Sequence, residues 1–159
     1  MTEQNSEMIA GKNPILEALR SGREINKLWI AEGVKKTGIN ELLDLARERG
    51  VLVQFVPKKK VDQLSDANHQ GIVASVAAYN YSELEDLFSA AQKKNEDPFF
   101  LILDELEDPH NLGSIMRTAD AIGVHGIIIP KRRAVGLTAV VAKASTGAIE
   151  HVPVVRVTN

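Results

Sequence analysis

The chain has 159 residues, of which 44% are apolar and 25% charged, with 19 Lys/Arg against 21 Asp/Glu for a net charge of −2. This is the composition of an ordinary globular protein, one domain or two small ones, and it excludes binding through a uniformly basic surface. The lack of cysteine excludes disulfides, thiolate zinc sites and cysteine nucleophiles, and no run reaches the roughly 18 apolar residues needed to span a bilayer.

Residues 1–8 are polar, lack the apolar core of a signal peptide, and are predicted to form a disordered start to a cytoplasmic chain. Asn13 and Pro14 read as the N-cap and first position of a helix whose stripe is Ile15, Leu16 and Leu19. Lys27–Ala31 reads as a short strand. Residues 39–49 read as an amphipathic helix with Ile39, Leu42, Leu43 and Ala46 on one face. Residues 51–56 are rich in β-branched side chains and read as a strand, 58–64 as a short helix, and 71–78 as a further strand. This alternation implies a compact α/β/α domain. Lys12, Arg23 and the run Lys58-Lys59-Lys60 are its candidate contacts for a polyanion, although a charge run is more often a solvated surface.

Residues 79–97 read as a linker that includes a helix, with a capping box from Ser82 and Glu85 and a stripe of Leu84, Leu87, Phe88 and Ala91. Residues 81–100 hold 2 Lys/Arg against 5 Asp/Glu, so the acidity of the chain sits in its middle. A second domain is predicted from about Pro98. It opens with an apolar run, Phe99–Leu103, of the kind that fills a fully buried parallel strand. Acidic residues follow at Asp104, Glu105, Glu107 and Asp108, then Pro109 as a breaker and Asn111 as an N-cap. The next helix carries Ile115, Met116, Ala119 and Ile122, and Gly123 ends it. His125–Pro130 reads as a strand, Lys131-Arg132-Arg133 as a basic loop, Leu137–Ala144 as a helix and Val152–Val157 as a strand. The order βαβαβ implies a parallel sheet with right-handed crossovers. No dinucleotide fingerprint or P-loop is present.

A strand feeding a loop and then a helix start places backbone N–H groups at the carboxyl edge of the sheet, where open α/β folds bind ligands. The Lys131–Arg133 loop falls on the same edge. Arg117 lies one turn beyond Gly113, where the missing side chain leaves it a path back toward the loop. It could grip a phosphate or stabilise developing negative charge, or it could be a solvated helix arginine beside a capping Asn111. The acidic cluster could hold magnesium, but it reads better as compensation for the helix dipole or for Arg117, and no metal is expected.

The run Asp-Pro-His-Asn-Leu-Gly-Ser-Ile-Met-Arg-Thr-Ala at 108–119 closely resembles the first signature of the SpoU (TrmH-like) RNA 2′-O-ribose methyltransferases. Ala-Ser-Thr-Gly-Ala at 144–148, with Glu150, His151 and Pro153, resembles the segment that follows in that family. Gly11-Lys12-Asn13-Pro14 and His69-Gln70-Gly71-Ile72-Val73-Ala74 resemble the small N-terminal domain that many members carry. The combination is most similar to the branch that methylates a guanosine ribose in 23S ribosomal RNA.

The resemblance implies an α/β fold. A small N-terminal α/β/α RNA-binding domain would occupy 9–78, and the first part of a parallel-sheet α/β-knot (SPOUT) methyltransferase domain would occupy 98–159. It implies S-adenosylmethionine as cofactor, ribosomal RNA as partner, and a homodimer for the complete protein. Arg117 would act at the ribose hydroxyl, with Asn111 holding the loop and the substrate. Lys12, Asn13, Arg23, His110, Lys131, Arg132 and Arg133 would contact RNA, and Ser145 and Gly147 would shape the substrate side of the pocket. Family members carry two further signatures, a Gly-Ser-Glu-Gly-like loop and a Ser-Leu-Asn-Val-like segment, which hold most of the cofactor site and form the knot. Neither is present, so the residues that contact the cofactor are expected beyond Asn159. Residues 1–159 alone are expected to be monomeric or prone to association. Two rival readings are a non-catalytic RNA-binding module built from the same two domains and an unrelated phosphate-binding α/β enzyme.

Overall fold

The computed structural model describes residues 8–159. The predicted disordered start therefore lies outside the described residues, except for Met8, which opens a strand. The chain divides into two compact units between Ala77 and Ala78.

The first unit contains β1 (Met8–Ala10), α1 (Lys12–Arg20), β2 (Ile25–Ala31), α2 (Asn40–Glu48), β3 (Val53–Val56), α3 (Lys58–Leu64) and β4 (Ile72–Val76). Its sheet has the order β1-β4-β2-β3. β4 runs antiparallel to both β1 and β2, and β2 runs parallel to β3. Strand alternation gives each face its own core. Ile25, Leu28, Ile30, Ile72 and Ala74 pack under α1 and α2, whereas Ala31, Val56 and Val73 pack under Val61 of α3. Among the described residues, the second face is covered by α3, seven residues long.

The start of α1 departs from the predicted cap. Gly11, not Asn13, is the N-cap, with φ 93°. Its N–H bonds the Ile72 carbonyl at 2.9 Å, so the chain must turn from edge strand to helix within one residue, a conformation that glycine adopts at low cost. Asn13 and Pro14 then fall inside the first turn, where the absent proline N–H has no intrahelical partner to lose. β1 itself was not predicted: three residues are too few to show a period.

The second unit contains α4 (Leu84–Lys93), β5 (Phe100–Ile102), α5 (Pro109–Ile122), β6 (Gly126–Pro130), α6 (Ala139–Ala144) and β7 (Val154–Val157). Its sheet is parallel in the order β5-β6-β7, as the βαβαβ pattern requires. The face formed by Leu101, Leu103, Ile127, Ile129 and Val154 is closed by Leu112, Met116 and Ala119 of α5, Val141 of α6, and Ile149. On the opposite face Leu87 of α4 is fully buried, and a Cβ at Gly126 would overlap its side chain.

β5 is not the fully buried strand that its composition suggests. It lies at the end of the ladder, and Ile102 is 75% exposed. An apolar run reports its fit to a sheet, whereas ladder position decides what covers it. The stretch 79–97 is packed onto this unit rather than running free. The Ala78 and Ser82 N–H groups bond the carbonyls of Leu137 and Val154, and the Glu83 N–H bonds Asp86 Oδ2 at 2.8 Å. The capping box is thus Glu83 with Asp86, one residue beyond the predicted Ser82 and Glu85. Along α4, Leu87 and Ala91 are buried, but Leu84 and Phe88 face outward, and Phe88 meets Phe100 edge to face at 5.0 Å.

Candidate functional site

At the carboxyl edge of the second sheet, the β5–α5 loop turns into α5 through Asp108. Its Oδ1 accepts the N–H groups of His110 at 2.7 Å and Asn111 at 3.1 Å. Pro109 is the first helical residue, so it starts the helix instead of breaking it, and Asn111 sits inside the first turn rather than capping it. The reason is geometric. Proline's fixed φ suits the first helical position, and the carboxylate before it satisfies two N–H groups that the helix leaves unpaired.

That one change rearranges the candidate site. At about 100° per residue, Asn111 and Arg117 leave α5 about 120° apart and about 9 Å apart along its axis. They do not converge. His110 and Arg117, seven residues apart, leave within about 20° of each other. Gly113 lies next to that flank but is buried. A Cβ there would lie 2.5 Å from Ala144 Cβ and 2.9 Å from the Ser145 nitrogen. Gly113 therefore lets the end of α6 press against α5, and the open path it was expected to give Arg117 is filled. Arg117 itself is exposed, and among the described residues no hydrogen bond or ion pair engages its guanidinium.

Ser145 is wholly buried. Its Oγ donates to the Ala142 carbonyl at 2.9 Å and accepts from the Ile149 N–H at 3.3 Å. Its hydroxyl holds the end of α6 and offers no free atom to a substrate. Gly147, with φ 95°, is exposed, and a Cβ there would have nothing within 4 Å. It suits a close approach of the backbone to a ligand.

The loop after β6 reaches the same edge. Arg132 is exposed, and Arg133 Nη1 meets Glu105 Oε1 at 2.9 Å. Both partners hold positive φ, 51° and 53°. The Leu106 carbonyl accepts the Val135 N–H at 2.8 Å, so the acidic and basic loops are tied together. Glu105 thus compensates Arg133, and Asp108 caps the helix; neither pairs with Arg117.

One residue missed from sequence is His125. It is 3% exposed, its Nδ1 accepts the Phe99 N–H at 3.0 Å, and its Nε2 lies 2.8 Å from Glu96 Oε2. It clamps the segment before β5 to the start of β6. Its partners lie 26 and 29 residues away, so no local pattern announces it.

In the first unit, the register separates the predicted cations. Gly11 bonds Ile72, which pairs with Ile30, and Ala31 pairs with Val56 just before α3. Lys12, Asn13 and Lys58 therefore share one end of the sheet. Arg23 precedes Ile25, which pairs with Val76 at the other end of β4, about 13 Å away at strand spacing. Arg23 does not join the cluster. A cleft of about 470 Å³ opens at the Lys58 end, lined by Ala31, Lys58, Asp62, Asn68, His69 and Gly71. His69 pins its rim: Nδ1 accepts the Gly71 N–H at 2.9 Å, and Nε2 meets Asp62 Oδ1 at 3.0 Å. The histidine of the His-Gln-Gly motif is thus a loop clamp.

Comparison with known proteins shows what the chain is similar to. Residues 8–82 match the family described as RNA 2′-O ribose methyltransferase substrate binding, and residues 98–159 match the SpoU rRNA Methylase family. A Bacillus subtilis protein assigned by name to the TrmH family of tRNA/rRNA methyltransferases is 63% identical over 156 residues, covering 98% of this chain and 63% of the relative. A Staphylococcus haemolyticus protein of the same family name is 55% identical over 152 residues, covering 96% and 61%. The crystal structure of an AdoMet-bound rRNA methyltransferase from Sinorhizobium meliloti aligns at 28% identity and a TM-score of 0.41, covering 94% of this chain and 53% of that one. The chain spans about three fifths of the length of the curated relatives it matches.

Proposed function

The chain belongs to the SpoU family of RNA methyltransferases, and from that membership we propose that its protein methylates a ribose 2′-hydroxyl of ribosomal RNA, a 23S guanosine, in the cytoplasm as a homodimer. The observation that carries this reading is the Asp108-capped helix α5. It holds Arg117 exposed and without a partner among the described residues, on the helix whose first turn lies at the carboxyl edge of a parallel sheet.

The proposed methyl donor is S-adenosylmethionine. The donor's binding residues are assigned to the part of the relatives that this chain does not span. On the substrate side, Arg117 lowers the energy of the nascent 2′-alkoxide through its fixed charge. Arginine's high pKa makes it a poor proton acceptor, and charge stabilisation is the easier role. His110 shares its flank and orients the ribose. Asn111, around the helix, contacts the neighbouring nucleotide. Arg132 and Lys131 hold flanking phosphates, and Arg133 joins them when it leaves Glu105. Lys12, Asn13 and Lys58 dock a more distant part of the RNA.

Substituting Arg117 in the full-length protein tests the assignment. Arg117→Ala is expected to lower kcat about 10²- to 10³-fold while RNA affinity changes only a few-fold, and Arg117→Lys to restore part of the rate. Unchanged turnover in Arg117→Ala would remove it from the chemistry. RNA binding without any methyl transfer by the full-length protein would favour the non-catalytic module.

A further inference from the structure

Among the described residues, the second face of the first sheet is only partly covered. On it lie Met8 of β1, Ser75 of β4, Lys27 and Trp29 of β2, and Gln54 of β3, placed side by side by the strand register. α3 packs over the carboxyl half of this face, on Ala31, Val56 and Val73, and leaves the amino half half-exposed. Trp29, the chain's sole tryptophan, is half-buried there, with Lys27 Nζ 5.3 Å from its ring centroid. Burial, and then the charge of Lys60 on α3, hold the Lys27 ammonium below the ordinary lysine pKa. One ammonium group thus stands beside the indole, and Lys60 on the neighbouring α3 adds a second positive charge within electrostatic reach of it.

Resting on the RNA-methyltransferase reading, we propose that this face is a stacking platform for an unpaired base of the RNA substrate, with Trp29 against the base and Lys27 and Lys60 on the flanking phosphates. An indole stacks on any base, whereas hydrogen-bonded readout needs a specific edge, so the platform takes single-stranded RNA without strong sequence preference. A phosphate arriving between Lys27 and Lys60 relieves the repulsion between them. This surface is distinct from the sheet end that carries Lys12, Asn13 and the cleft beside Lys58. There the lining is largely polar and charged, and the ring of His69 is engaged by Gly71 and Asp62.

Trp29 emission, isolated by comparison with Trp29→Phe in the full-length protein, makes the test direct. Single-stranded oligoribonucleotide is titrated into the protein while the intrinsic emission of Trp29 and the anisotropy of a label on the RNA are followed together. Saturable quenching in step with the anisotropy is expected, with little quenching by duplex RNA. Trp29→Leu should weaken single-strand binding about 5- to 100-fold, and Trp29→Phe, which keeps a ring, by less. Lys27→Ala and Lys60→Ala should each lower the slope of log affinity against log salt by about 0.7. RNA binding seen by anisotropy with no change in Trp29 emission, and with unchanged affinity in Trp29→Leu and Lys27→Ala, would overturn the platform while leaving the family function intact. No RNA binding by either signal would overturn both.

Discussion

The two sheets carry their cations in different ways. In the first unit, Lys12 and Lys58 sit on the opening turns of helices and Lys27 sits on a strand, so their charge is presented from regular, well-packed structure. In the second unit Lys131, Arg132 and Arg133 stand on a loop, and Arg133 is bridged to Glu105 of the facing loop. Arg117, on the flank of α5, has no such partner among the described residues. The difference separates two tasks. Charge held on rigid elements and left to water suits docking of a polyanion. An arginine on a helix flank with no partner among the described residues suits a local electrostatic role.

The largest expected effect tests that separation at its sharpest point. Arg117→Ala should act on kcat by orders of magnitude, as set out above, and leave affinity nearly unchanged. The next tests the frame that holds Arg117. Gly113→Ala gains about 1 kcal/mol in helix propensity. Overpacking against the Ala144 backbone costs about 1–3 kcal/mol, and because the carbon 2.8 Å away belongs to the main chain of α6, the loss prevails. Net destabilisation of up to about 2 kcal/mol is expected in urea unfolding, and a more stable variant would mean that α6 shifts freely. The docking half of the comparison is broken by Lys12→Glu with Lys58→Glu. RNA affinity should fall about tenfold at moderate salt with kcat at saturating RNA preserved, and a fall in kcat instead would show that the two tasks are not separate. The smallest effect is expected at Ile102→Ser. With its side chain largely in water, the change should stay within about 0.5 kcal/mol, whereas Leu28→Ala, fully buried in the first sheet, should cost about 2–5 kcal/mol by the same measurement.

The sequence carries much of this architecture in plain view. Helix α3 spans the predicted residues 58–64, and the parallel order of the second sheet follows from alternating apolar runs and helical stripes. What escaped has identifiable physical causes. In Asp108-Pro109-His110-Asn111, two residues could cap a helix. Proline decides between them, because the first helical turn accepts it and the residue before it is driven out of the helical region. The same signal, read correctly, would have placed His110 rather than Asn111 on the flank of Arg117. At Gly11, the need to leave a strand edge within one residue outweighs Asn13's preference for a cap. The clamp at His125, the Glu105–Arg133 bridge and the pinning of the His69 loop by Asp62 are tertiary contacts with no local period to betray them. The exposed end of β5 is likewise a property of ladder order rather than of the strand itself.

The measurement that bears most directly on the central claim is the chemical position of the methyl group. The full-length protein is incubated with ribosomal RNA and S-adenosylmethionine labelled in the methyl group, and the RNA is then hydrolysed in alkali. A ribose 2′-O-methyl group blocks cleavage of its own phosphodiester, so the account predicts label in an alkali-stable dinucleotide, lost in Arg117→Ala. Label on a mononucleotide, which marks a methylated base, or no label in RNA at all, would contradict it.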